Sequence, residues 1–74
     1  MSLPIGIAIK RVRQEKGLMA EVVANRAKIS LPCLRKFESG ERRVSLDKLE
    51  SVSAALGVST WEMVWVAEQA KGAA

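Results

Sequence analysis

Apolar residues along this chain recur three and four positions apart, and no run alternates apolar with polar residues over the span of a half-buried strand. Ile5, Ala8, Ile9 and Val12 mark a first helix, with Pro4 in its opening turn after Ser2 and Gly17 as its stop. Val23, Ala24 and Ala27 share one side of a second. Ser30 is placed to cap a third helix that ends at Gly40, and Ser45 a fourth that ends at Gly57. Ser59 and Glu62 form the S-x-x-E capping box of a fifth. The pattern predicts helices over about 4–16, 20–27, 31–39, 46–56 and 60–71. Only a few residues separate them, so the expected fold is all-α, one compact five-helix bundle over residues 1–74, with the closing "KGAA" frayed.

Composition narrows the chemistry. Seventy-four residues are near the size at which one hydrophobic core is marginal, which makes help from a second subunit an expectation. One cysteine, Cys33, and no histidine leave no internal disulfide and no zinc-type ligand set, so neither metal nor cofactor is expected. There is also no tyrosine, no phosphate-cradling glycine loop and no nucleophile beside a base, which sets an enzyme aside. No apolar run approaches the ~18 residues of a membrane span. The start "MSLPIGIAIKRVR" carries its charges after its apolar residues, the reverse of a secretory signal, so a cytoplasmic protein with no membrane partner is expected.

Charge is unevenly placed. Residues 1–43 hold ten lysines and arginines against four glutamates, a balance of +6, and residues 44–74 hold two cations against four acids, a balance of −2. With Leu34 at the centre of the inward face of the third helix, Phe37 and Glu38 fall within about 60° of it, and Pro32, Arg35, Lys36 and Ser39 face away. Two adjacent cations on that face, followed by Arg42 and Arg43 in the next loop, suit a polyanion groove and its phosphates. The same charges also suit a merely solvated surface helix.

The stretch "GLMAEVVANRAKISLPCLRKFESGERRVSLDKLESVSAALGVS", preceded by Arg13, resembles the helix-turn-helix of the Cro and phage-repressor (XRE) type found in bacterial and phage transcription regulators. Gly17-Leu18, Val23-Ala24, Ile29-Ser30, Leu34, Phe37-Glu38, Gly40, Arg42, Ser45-Leu46, Leu49 and Leu56-Gly57-Val58-Ser59 carry the likeness, in order and at family spacing. It implies a lambda-repressor-like bundle whose third helix enters the major groove of double-stranded DNA. Carried over by position, the base-facing sites are Leu31, Pro32 and Lys36 with Arg35 beside them. Ser39, Arg42 and Arg43 fall at phosphate and loop positions, and Arg13 and Glu38 form a partly buried structural ion pair. A bacterial or phage-encoded regulator is implied.

Four positions depart from that pattern. Met19 and Ala20 stand where the family has a hydroxyl cap and a DNA-contacting glutamine. Lys28 stands where it prefers glycine, so a strained or altered turn is expected. Val44 replaces a frequent proline, a neutral exchange. Two readings are open for Leu31: it packs on thymine methyl groups while Lys36 or Arg35 addresses guanine, or it belongs to the core and Pro32 is only a helix-start signal. Two are open for Cys33, a small packing residue or an oxidant sensor at a helix N-terminus.

The fifth helix is apolar on both sides, with Met63, Val66, Ala67 and Ala70 on one and Trp61, Val64 and Trp65 on the other. A surface helix needs one such stripe, so the second is expected to meet another subunit or to lay one tryptophan over the first or fourth helix. A homodimer through Trp61, Val64 and Trp65 implies an inverted-repeat operator and a repressor that occludes a promoter. A rival reading keeps the fold as a protein-interaction module, an antitoxin or anti-activator whose partner is a protein and whose base reading is weak.

Overall fold

The computed structural model describes residues 3–72, so Ser2 and the last two residues of the "KGAA" end lie outside it. Five helices follow one another: α1 (Ile5–Glu15), α2 (Ala20–Ala27), α3 (Leu31–Ser39), α4 (Leu46–Ala55) and α5 (Thr60–Gly72). No strand occurs among the described residues. Pro4 occupies the N-cap position of α1, where its missing N–H removes no helical bond.

Side-chain caps fix three of the starts. Ser30 Oγ accepts the Cys33 N–H at 3.1 Å and Ser45 Oγ accepts the Lys48 N–H at 3.3 Å. At α5 the box closes in both directions: Ser59 Oγ accepts the Glu62 N–H at 3.0 Å and Glu62 Oε1 accepts the Ser59 N–H at 3.3 Å. Met19, ahead of α2, supplies no side-chain cap.

Three helices end in one hydrogen-bond pattern. After α1, Leu18 N–H donates to the Arg13 carbonyl and Gly17 N–H to that of Gln14, and Val58 and Gly57 repeat this on Ser53 and Ala54 after α4. After α2 the same pair runs from Ile29 to Ala24 and from Lys28 to Asn25, the Schellman arrangement with a left-handed residue at its pivot. Glycine is the pivot in two cases. In the third it is Lys28, at φ 58° and ψ 41°. The turn keeps its geometry, and the lysine bears the cost of a conformation that crowds its Cβ.

α1 lies against α5 and α3, α2 against α4 and α3, and α4 against α5. Ile9, Val23, Leu34, Val52 and Met63 fill the shared centre with Ala8, Ala24 and Ala67 between them. Alanines allow the helices to approach, and Gly6 carries this further: a Cβ there would land on the Phe37 carbonyl oxygen of α3. The third helix is thereby fixed against α1 by a backbone-to-backbone approach that helical periodicity did not reveal. One polar group is sealed in the core without compensation, Ser53 Oγ, which finds no hydrogen-bond partner among the described residues.

Candidate nucleic-acid interface

α2, the Lys28 turn and α3 form a two-helix unit, and α3 carries the candidate face. Leu34 and Phe37 are buried and anchor the helix. Pro32, Arg35, Lys36 and Ser39 are exposed, as are Arg42 and Arg43 in the loop that follows. Leu31 is half-buried and packs against the core, so the core reading accounts for part of its surface and leaves the rest free. Cys33 is also half-buried, between the anchored and open faces.

The loop after α3 is folded back onto it. Gly40 turns the chain at φ 83°, and the Arg42 N–H donates to the Lys36 carbonyl at 3.2 Å. Ser39 Oγ donates to that same carbonyl at 3.2 Å and accepts the Glu41 N–H at 3.4 Å. The Arg42 guanidinium lies over α3 with Nη1 3.8 Å from Cys33 Sγ. Periodicity could not place Arg42 beside Cys33, because the contact depends on how the loop reverses.

Behind this surface Arg13 ties three segments together. Its Nε donates to Glu38 Oε2 at 2.8 Å and its Nη2 to Glu38 Oε1 at 3.0 Å, while Nη1 donates to the Leu18 carbonyl at 3.0 Å. The hydrogen bond with Glu38 raises the Arg13 pKa above its ordinary value, burial opposes that, and the carboxylate's charge adds to the rise. The α1–α2 loop, α1 and the last turn of α3 are thus held by one guanidinium.

On the far side, Trp61 is 82% and Trp65 63% exposed, and Val64 is half-buried. Neither tryptophan is buried over α1 or α4. Trp61 and Val64 instead form one wall of a cleft of about 500 Å³ whose other wall is Leu46, Leu49 and Glu50. Leu46 is exposed, and sequence reading missed it; its place directly after the Ser45 cap, ahead of the buried stripe of α4, was the available signal.

No group of histidine, cysteine, aspartate or glutamate among the described residues is arranged to hold a metal, and no helix there is long and apolar enough to cross a membrane.

The bundle and the outward cationic helix define a helix-turn-helix protein. A family model for the helix-turn-helix matches residues 9–60, and the chain belongs to that family, in its XRE-type branch. It is 38% identical over 60 residues to the uncharacterised HTH-type transcriptional regulator y4dJ of Sinorhizobium fredii, covering 81% of this chain and 78% of that one. It is 32% identical over 56 residues to the HTH-type transcriptional regulator DdrOP3 of Deinococcus deserti, covering 76% of this chain but only 43% of that protein's length. Among solved structures, the clp gene regulator ClgR from Corynebacterium glutamicum superposes with a TM-score of 0.87 at 30% identity, over 90% of this chain and 87% of that one.

Proposed function

We propose that the protein is a sequence-specific transcriptional regulator that binds double-stranded DNA through α3 in the major groove. The observation that carries this is the exposed set Pro32, Arg35 and Lys36 on one face of a helix whose opposite face is locked by Leu34 and Phe37. Lys36 and Arg35 present donors for guanine O6 and N7, and Pro32 with the free part of Leu31 presents apolar surface to thymine methyl groups. Arg42 and Arg43 sit at the trailing end of that face as phosphate contacts, and Ser39, whose hydroxyl donates to the Lys36 carbonyl, braces the loop that carries them.

The reading extends to a homodimer formed through Trp61, Val64 and Trp65, an inverted-repeat operator, and repression by promoter occlusion. Its support is the pair of exposed tryptophans on α5, since an apolar side exposed in the isolated chain is stabilised by a second copy. α3 packs against α1 and α2, while the tryptophan cleft is built from α4 and α5, so pairing leaves the recognition face open. Relatives named as transcriptional regulators support the regulatory part of the reading.

Selection of bound duplexes from a randomised pool tests the reading. A bound site with two-fold symmetry and half-sites about one helical turn, roughly 34 Å, apart is expected. A pool that shows no enrichment at low salt overturns it in favour of the protein-interaction module.

A further inference from the structure

We propose that Cys33 is the seat of Arg42: the thiol on one flank of α3 holds the guanidinium along the helix, so that Arg42 and Arg35 bracket the face from which Lys36 reads. The inference rests on the DNA-binding reading above and adds a positioning residue to it.

The two flanks of α3 differ in charge. When Leu34 points to the core, Arg35 stands about 100° to one side and Cys33 about 100° to the other, with Lys36 and Pro32 near the outward pole. α3 on its own therefore has a cation on one flank and a small neutral side chain on the other. The returning loop supplies the missing cation. Arg42 is held by its main chain on the Lys36 carbonyl at 3.2 Å and by its Nη1 lying 3.8 Å from Cys33 Sγ. Ser39, bonded to the Lys36 carbonyl and to the Glu41 N–H, fixes the return path of the loop.

The arrangement has a purpose in binding. A helix in the major groove runs between two phosphate backbones, and a cation held on the Cys33 flank addresses the strand on that side, across the helix from Arg35. An arginine free in water loses rotamer freedom when it grips a phosphate, and one already laid along the helix loses less. A half-buried thiol is small enough to leave the guanidinium room and is a weak acceptor, so it orients Arg42 without neutralising it.

A double-mutant cycle on duplexes selected by the wild-type protein tests this. Arg42→Ala is expected to lower the slope of log affinity against log salt by about 1. Cys33→Ala, with an unchanged melting midpoint as its control, is expected to weaken binding by about three- to ten-fold in the wild-type background and less than about two-fold beside Arg42→Ala. An equal effect in both backgrounds, or none in either, overturns the proposal. A second readout needs no DNA: the NMR order parameter of the Arg42 Nε–H group is expected to fall in Cys33→Ala, and an unchanged value overturns the seat. A wild-type protein that selects no duplex overturns the DNA-binding reading and with it the role in binding, while the order parameter still judges the seat itself.

Discussion

Arg13 and Glu38 meet through two parallel hydrogen bonds, Nε to Oε2 at 2.8 Å and Nη2 to Oε1 at 3.0 Å, across 25 residues of chain. The side chains are 15% and 8% exposed, so water screens the pair poorly and removal of one partner leaves the other short of compensation. A fully buried pair broken in this way costs about 3–5 kcal/mol, and the residual exposure here brings the expectation to about 2–3 kcal/mol for Glu38→Gln or Arg13→Met in urea unfolding. The pH dependence has a definite sign. The folded-state pKa of Arg13 is raised, so its contribution is complete below the ordinary arginine range and fades only as pH climbs past it. The difference between wild type and Arg13→Met is therefore expected to be the same at pH 7 and pH 10; a gap that narrows over that interval would contradict the assignment.

Lys28 occupies the pivot that glycine holds after α1 and α4. Left-handed backbone costs an L-residue roughly 1 kcal/mol, partly offset because glycine has more freedom to lose on folding. Lys28→Gly is expected to stabilise by about 0.5–1 kcal/mol, which in a chain of this size raises the melting midpoint by several degrees. Circular dichroism melting checks this, and a lower midpoint would show that the lysine side chain makes a contact worth more than the strain.

Much of the architecture was legible because it is local. Ser30, Ser45 and Ser59 each stand where a hydroxyl closes on an amide three residues ahead, and the apolar stripes that follow repeat at the helical period. Arg13 and Glu38 were joined only through the family resemblance, since nothing near either residue announces the other. Gly6 was invisible for a related reason: its need to be glycine arises from the Phe37 carbonyl of another helix, which no window around residue 6 contains. At the interface, the outward set on α3 could be read from a wheel, whereas the fold-back of Arg42 follows from hydrogen bonds to Lys36 that exist only once the loop has closed.

Ser53 offers a second stabilising change. Its hydroxyl is buried in α4 without a partner among the described residues, and the desolvation of an unpaired hydroxyl costs about 1–3 kcal/mol. Ser53→Ala removes the group with almost no change of volume and improves helix propensity. A gain of about 1 kcal/mol in urea unfolding is expected; a loss would show that the hydroxyl is bonded in solution.

Trp61 and Trp65 set the prediction for assembly. With 82% and 63% of their surfaces exposed they are the largest apolar groups left uncovered among the described residues. If the proposed pairing uses them, the Trp61→Ala, Trp65→Ala double variant sediments as a monomer at concentrations where the wild type is dimeric, with the helical content of each unchanged. An unchanged mass discards this interface. Because the core of α5 is carried by Met63 and Ala67, the substitution spares the fold and the result reads association alone.

Lys36 and Arg43 separate base reading from phosphate binding within the one proposed interface. Lys36 lies on the outward face of α3, whereas Arg43 lies beyond Gly40 in the loop, and both are exposed. A donor on guanine discriminates between bases, so Lys36→Ala should cost about 1–3 kcal/mol on the selected duplex and much less on mixed-sequence DNA. A cation on phosphate adds the same attraction to every sequence, so Arg43→Ala should weaken both duplexes alike and lower the salt slope by about 1. Titrations of the two variants against the two duplexes over a range of salt decide the assignment. Equal losses on both DNAs for Lys36→Ala would move that lysine from the base edges to the backbone and leave sequence choice to Arg35 and Pro32.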